Sequence, residues 1–96
     1  MTQEETNMND FEKEDLDKFY NAVLKLKNID ECYKFFEDVF TIKELNTVAQ
    51  RLEVARLLKA NMTFSEIEKK TGASSATISR VNRSLQHGAG GYDIVI

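Results

Sequence analysis

Residues 62–86 read MTFSEIEKKTGASSATISRVNRSLQ, and this stretch decides the fold because it encodes two short helices joined by a tight turn. Thr63 is followed three residues later by Glu66, a capping box that predicts the start of the first helix. Gly72 predicts its end, because glycine adopts the left-handed conformation without the steric cost of a Cβ atom. The sequence therefore predicts a first helix of about two turns.

The second helix of this stretch is predicted over residues 75–86, with either Ser74 or Ser75 as its N-terminal cap. At about 100° per residue, one of its faces is apolar and must be buried, namely Ile78, Val81 and Leu85. Small, hydroxyl and guanidinium side chains, which suit contacts with bases and phosphates, lie away from that face. The predicted DNA-binding residues are Ser75, Ala76, Thr77, Ser79, Arg80 and Arg83. The pattern predicts a helix-turn-helix whose second helix lies in the DNA major groove.

Charge is distributed unevenly along the chain, whose net charge is −3. Residues 1–40 hold 11 acidic residues and five lysines, whereas residues 41–96 hold eight basic and five acidic residues. The basic half is the half that carries the helix-turn-helix. Because non-specific binding to DNA scales with the number of phosphates neutralised, this modest positive charge favours selective over indiscriminate binding.

Composition bounds the remaining possibilities. The 96 residues allow one domain, and the absence of proline together with helical patterning predicts an all-α fold. The polar, acidic N-terminus does not resemble a signal peptide, and no apolar run reaches the length of a membrane span. Cys32 is the only cysteine, which favours a cytoplasmic location, and with His87 as the only histidine no metal site is predicted.

Four segments follow one another along the chain. Residues 1–9 are polar and are predicted to be disordered, and residues 10–60 are predicted to form a helical dimerisation platform and a central helix. Residues 61–86 form the predicted helix-turn-helix, and residues 87–96 are predicted to be a Gly-rich flexible tail. All four belong to one domain.

The platform is predicted to contain two amphipathic helices rich in aromatic residues. The first runs from about Asp10 to Lys27, and the second is capped by Asp30 and runs to about Val39. Their aromatic stripes are interpreted as core residues, and two helices this aromatic would expose apolar surface on a monomer. We therefore expect them to mediate dimerisation.

A long central helix is predicted next. Thr41 and Glu44 form a second capping box, the helix runs to about Ala60, and Asn61 stops it. Apolar residues lie on two sides of this helix, which predicts that it packs on two sides.

The span from Thr41 to Leu85 contains QRLEVARLL, MTFSEI and TGASSATISRVNRSL and resembles the Trp repressor superfamily, in particular its YerC/YecD-type members. The resemblance implies a five-helix, all-α fold with a C-terminal helix-turn-helix, assembled as an intertwined homodimer. It also implies that the two recognition helices of the dimer enter successive major grooves of a palindromic operator in double-stranded DNA.

In that family two arginines sandwich the indole of the corepressor L-tryptophan, and the resemblance places Arg51 and Arg80 at the matching positions. The effector-binding residues that it implies are Thr41, Arg51, Thr77, Arg80 and Ser84. Several residues depart from the family pattern, and Val81, Phe40 and Asp38 among them bear on the corepressor pocket. Val81 stands where tryptophan-binding members have glycine, and Phe40 replaces a leucine of the pocket wall. These departures argue against an aromatic amino-acid corepressor such as L-tryptophan.

The sequence thus predicts a sequence-specific transcriptional regulator that reads DNA with the helix over residues 75–86 and is controlled by an effector. The alternative is a helical protein-interaction module without sequence-specific DNA binding, in which the acidic, aromatic half docks a partner. An enzyme is not predicted, because no nucleophile–base pair or phosphate-binding loop is present in the sequence.

Overall fold

The computed structural model describes residues 10–96, and every regular element in that range is a helix. The six helices are α1 (Asp10–Val23), α2 (Ile29–Val39), α3 (Ile42–Lys59), α4 (Phe64–Thr71), α5 (Ser75–His87) and α6 (Gly91–Val95). The all-α prediction is confirmed, although the described residues hold one helix more than the five predicted. The predicted disorder over residues 1–9 lies outside the described residues.

The chain divides into two compact units, the first ending at Val39 and the second spanning Phe40–Ile96. The first contains α1 and α2, and the second contains α3 to α6. This division differs from the predicted segments, which placed the central helix with the N-terminal platform over residues 10–60. Helix α3 belongs instead to the unit that holds the helix-turn-helix, because its buried side chains share a core with α4 and α5.

Helix α1 ends earlier than predicted, at Val23 rather than at Lys27. The Lys25 N–H donates to the Ala22 carbonyl at 3.1 Å, and the Leu26 N–H donates to the Val23 carbonyl at 3.0 Å. These bonds span three residues rather than four, so they tighten the chain into a turn and end the α-helix.

The N-terminal cap of α2 also differs from the prediction. The Glu31 N–H donates to Oδ1 of Asn28 at 2.9 Å, and the Lys27 N–H donates to the Glu31 carboxylate at 2.9 Å. Asn28 is therefore the cap, while Asp30 lies within the first turn. Two residues capable of capping stand close together here, and the one that precedes the helix makes the bond.

Aromatic rings join α1 to α2 within the first unit. The Phe19 and Phe35 rings are stacked with centroids 6.0 Å apart, and Phe35 meets Phe36 edge to face at 5.3 Å. Other large apolar side chains of this unit are exposed in the single chain, namely Tyr20, Leu24, Ile29, Tyr33 and Val39.

The predicted capping box of α3 is confirmed. The Glu44 N–H donates to Oγ1 of Thr41 at 3.1 Å, and the Thr41 N–H donates to the Glu44 carboxylate at 2.8 Å. The far end of the helix is followed by Asn61 in the left-handed conformation, with φ of 65°. Asparagine tolerates that conformation better than most residues, so the predicted stop at Asn61 is also confirmed.

The core of the second unit is assembled from three helices and one turn. Its fully or almost fully buried residues are Val54 and Ala55 from α3, Ile67 from α4, Ala73 from the turn, and Ile78 and Val81 from α5. One of the two predicted sides of α3 thus packs within the single chain. The other stripe remains open to solvent, since Val48 is 54% exposed and Leu52 is 38% exposed.

Residues 87–96 differ from the predicted flexible tail, because a short helix, α6, forms within them. Tyr92 and Ile96 pack against the core of the second unit. The Lys59 ammonium also lies 2.6 Å from the Asp93 carboxylate and connects α6 to the end of α3. Apolar packing and this ion pair hold the segment, even though its glycines favour flexibility. Across residues 10–96, no helix combines the length and apolar character that crossing a membrane requires.

Candidate nucleic-acid interface

The first helix of the hairpin, α4, begins at the predicted capping box. The Glu66 N–H donates to Oγ1 of Thr63 at 3.2 Å, and the Thr63 N–H donates to the Glu66 carboxylate at 2.9 Å. This backbone bond, with a second bond from the Thr63 hydroxyl, lowers the pKa of Glu66. Ile67 is completely buried and anchors the helix in the core.

The turn between the helices is held by Gly72 and Thr71. Gly72 has φ of 73°, the left-handed conformation predicted for it, and its N–H donates to the Glu68 carbonyl at 2.9 Å. The Thr71 hydroxyl donates to the Ile67 carbonyl at 2.8 Å and accepts the Ala73 N–H at 3.1 Å. The path of the turn is therefore fixed by hydrogen bonds as well as by the glycine.

Ser74, rather than Ser75, caps the second helix. The Thr77 N–H donates to Oγ of Ser74 at 3.1 Å, and the Ser74 and Thr77 hydroxyls are 3.1 Å apart. Ser75 is consequently the first residue of α5, with its side chain exposed. The structure thus resolves the choice of cap that the sequence leaves open.

Helix α5 has the buried and exposed faces that its periodicity predicts. Ile78 is 0% exposed and Val81 is 1% exposed, while Leu85 is half-buried against the core. Thr77 is also half-buried. The remaining predicted DNA-binding residues are all exposed, namely Ser75, Ala76, Ser79, Arg80 and Arg83. Their contact with DNA stays a prediction.

The two arginines of α5 are free of intramolecular ion pairs within residues 10–96. The ion pairs in that range are Lys13–Asp17, Glu53–Arg56 and Lys59–Asp93. Arg80 and Arg83 take part in none of them. Both guanidinium groups are therefore available to an external anion or to the acceptor atoms of a guanine edge.

The five predicted effector-binding residues occupy different environments. Oγ1 of Thr41 accepts the capping bond of α3, and Oγ1 of Thr77 contacts the cap of α5, but each hydroxyl retains its own donor. Arg51 is half-buried and Arg80 is exposed. Ser84 lies in an open cleft of about 420 Å³, which is also lined by Leu52, Gly88, Ala89, Gly91, Tyr92 and Val95. In the described part of the chain, no hydrogen bond joins any two of the five.

Val81 and Phe40, which depart from the family pattern, differ in how deeply they are buried. Val81 belongs to the buried core of the second unit, and Phe40, the first residue of that unit, is half-buried. That Val81 and Phe40 disfavour L-tryptophan as a corepressor stays a prediction. Among residues 10–96, no group of three or more His, Cys, Asp or Glu side chains could hold a metal ion.

Sequence reasoning missed Gln50. Its Nε2 atom donates to the Thr71 carbonyl at 3.1 Å and connects α3 to the turn of the helix-turn-helix. The only available signal was an amide side chain beside the apolar stripe of a long helix. Such a side chain alone does not indicate which residue it will bind, and the acceptor lies 21 residues away.

Comparison with known proteins identifies the family of this chain. Residues 14–96 match the sequence pattern of the Trp repressor protein family. The chain is 50% identical to the uncharacterized protein YerC of Bacillus subtilis (strain 168) over 82 residues, which cover 85% of this chain and 79% of YerC.

Among the crystal structures that are similar to it are two bacterial proteins. A TrpR-like protein from Eubacterium eligens ATCC 27750 has a TM-score of 0.84 and 52% identity, with 85% of this chain and 84% of that chain covered. A Trp repressor candidate from Staphylococcus aureus has a TM-score of 0.81 and 48% identity, with coverage of 83% and 80%. The resemblance found in the sequence is confirmed, and the chain belongs to the Trp repressor family.

Proposed function

We propose that this protein is a sequence-specific transcriptional regulator that binds double-stranded DNA as a homodimer and reads the major groove with α5. The observation that carries the proposal is the division of α5 into two faces. Ile78 and Val81 anchor one face in the core, while Ser79, Arg80 and Arg83 stay exposed on the rest of the helix. A rigid helix that presents hydroxyl and guanidinium groups to solvent suits base and phosphate contacts.

Exposed apolar side chains support the homodimer. In the first unit, Leu24 is 79% exposed and Tyr33 is 63% exposed. In the second unit, Val48 and Leu52 form an open stripe on α3. A second copy of the chain would cover such side chains, and its two-fold symmetry would present two α5 helices to a palindromic operator. Light scattering should then give twice the chain mass of 11.0 kDa.

An effector is part of the proposal, with contacts from Thr41, Arg51, Thr77, Arg80 and Ser84. Arginine side chains bind planar rings by stacking and carboxylates by paired hydrogen bonds, which suits a planar acid, and the departures at Val81 and Phe40 favour one other than L-tryptophan. A thermal-shift screen of L-tryptophan and related aromatic acids tests this, because a ligand of the folded state raises the unfolding midpoint. The Arg51→Ala variant should show no rise in its unfolding midpoint with such a compound. A compound that raises the midpoint of Arg51→Ala as much as that of the unsubstituted protein does not bind at Arg51.

The central experiment is the capture of genomic fragments by the purified full chain, followed by footprinting of the selected fragments. We expect a protected site with two-fold symmetry. Replacement of Arg80 and Arg83 together by alanine should abolish binding while leaving the dimer intact. Arg56→Ala is a matched control, because it removes an exposed guanidinium of α3 that is paired with Glu53 and lies outside the proposed interface.

Salt dependence adds a second readout. Each phosphate contact that is lost should reduce the slope of log affinity against log salt by about one. Unchanged affinity of the Arg80 and Arg83 double variant would overturn the reading of α5. A folded dimer that captures no fragment selectively, but retains a protein partner through its acidic half, would instead favour the protein-interaction alternative.

A further inference from the structure

One hydrogen bond joins the long helix α3 to the helix-turn-helix. The Nε2 atom of Gln50 donates to the carbonyl of Thr71 at 3.1 Å, and both residues are half-buried. Within residues 10–96, it is the only hydrogen bond between α3 and the segment formed by α4, the turn and α5. The contact lies beside an open cleft lined by Asn46, Ala49, Gln50, Glu53, Lys70 and Thr71.

The Thr71 carbonyl needs an external partner for a simple reason. Thr71 is the last residue of α4, and the last four carbonyls of a helix lack a donor within that helix. These carbonyls also carry the negative end of the helix dipole. The Gln50 amide supplies the missing donor from α3.

From Thr71, a short series of contacts leads to the recognition helix. The Thr71 hydroxyl accepts the Ala73 N–H at 3.1 Å, so the same residue that binds Gln50 also fixes the turn. Ser74 follows immediately and caps α5 through the Thr77 N–H. Three successive hydrogen bonds therefore link Gln50 of α3 to the first turn of α5.

A shared apolar core also joins α3 to the hairpin. Val54 and Ala55 of α3 pack in one core with Ile67 and Ile78, all of them completely buried. Apolar burial is non-directional, and the helix orientation that it favours depends on how the side chains interlock. A hydrogen bond has a preferred direction and length, and it restricts rotation and sliding.

We propose that Gln50 is a positioning residue, which sets the orientation of α5 against α3 and thereby tunes DNA affinity without touching DNA. The affinity part of this inference rests on the proposed function. The positioning part concerns the free protein and can be tested without DNA.

The test uses two substitutions at Gln50 in the full chain. Gln50→Glu keeps the shape of the side chain but replaces the donor with an acceptor-only carboxylate. Gln50→Met keeps the length and removes the polar group. Asn46→Asp is the control for charge, because it adds the same negative charge one turn away in the same cleft. The Asn46 side chain forms no hydrogen bond among the described residues, so its substitution removes none.

Two readouts separate positioning from general stability. Amide hydrogen exchange on the free protein reports local opening, and we expect the Ala73 and Gly72 amides to exchange roughly tenfold faster in both Gln50 variants. Exchange at the buried Val54 should remain at the unsubstituted rate. Affinity for the DNA fragment that the unsubstituted protein captures should fall roughly tenfold in both Gln50 variants. For the charged variant Gln50→Glu, the fall is measured relative to Asn46→Asp. The salt slope should stay unchanged, because no phosphate contact is lost.

The outcomes are distinguishable. If both Gln50 variants exchange at the turn like the unsubstituted protein, the inference is overturned. Faster exchange at the turn with unchanged DNA affinity overturns it as well, because orientation would then not limit binding. If Val54 exchange accelerates equally, Gln50 serves global stability and the inference also falls. If the unsubstituted protein captures no DNA while the turn still opens faster in both variants, the proposed function fails and the positioning role in the free protein stands.

Discussion

The Oγ atom of Ser74 accepts the Thr77 N–H at 3.1 Å, and this bond marks the N-terminal end of α5. Because one of the four N–H groups that lack a partner within α5 is paired here, the cap stabilises the first turn of the helix. The residues that follow, including Ala76 and Ser79, are thereby held on a fixed part of the surface.

Removal of this cap should destabilise the protein measurably. Ser74→Ala should lower the free energy of unfolding by about 1 kcal/mol, the usual cost of losing a serine cap. Chemical denaturation monitored by circular dichroism measures the change. Ser65→Ala is the matched control, because Ser65 is exposed within α4 and its side chain forms no hydrogen bond among the described residues. Equal effects at Ser74 and Ser65 would contradict the capping role.

Gly72 should tolerate no side chain without cost. A Cβ atom there would have no heavy atom within 4 Å outside the neighbouring residues, so the cost of Gly72→Ala arises from φ of 73° alone. We expect a loss of about 1–2 kcal/mol in the free energy of unfolding. Gly91→Ala serves as the control, since that glycine lies in α6 with equal space and without a positive φ. It should be neutral or slightly stabilising, and a comparable loss at both positions would show that backbone conformation is not the cause.

Acidic pH should weaken the two capping boxes. Hydrogen bonds from the Thr41 and Thr63 backbones, and then from their side chains, lower the pKa values of Glu44 and Glu66 below 4.5. A lowered folded-state pKa means that the stabilisation is complete above the unfolded value near 4.5 and is lost as pH falls through the folded value. Unfolding midpoints measured from pH 7 to pH 3 should therefore fall in this acidic window.

The control for pH is the double variant Glu44→Gln with Glu66→Gln, whose amides still accept the capping bonds but do not titrate. Its midpoint should change less across the same acidic window. If the double variant and the unsubstituted protein lose stability in parallel, other carboxyl groups cause the acid sensitivity.

The core should respond steeply to the size of Ile67, which is completely buried between α3 and α5. Ile67→Val should cost about 0.5–1.5 kcal/mol and Ile67→Ala about 2–5 kcal/mol, because the larger truncation leaves a larger cavity. Thermal or denaturant unfolding of the pair gives the comparison. A loss below about 1 kcal/mol for Ile67→Ala would mean that the core collapses around the missing atoms.

The sequence by itself determined the features that depend on residues a few positions apart. The boxes at Thr41 and Thr63 and the left-handed Gly72 follow from local backbone geometry, which short-range rules describe well. The buried side of α5 follows from the helical period, and the family follows from motifs within one contiguous span.

Only the tertiary structure decided the contacts between distant parts of the chain. Gln50 meets Thr71 across 21 residues, and Lys59 meets Asp93 across 34, so local propensity contains no information about either pair. The formation of α6 has the same origin. Its glycines favour a flexible tail, and the packing of Tyr92 and Ile96 against the core stabilises the helix instead. Burial and pairing of side chains that are far apart in sequence outweigh local preference there, and that balance exists only once the chain has folded.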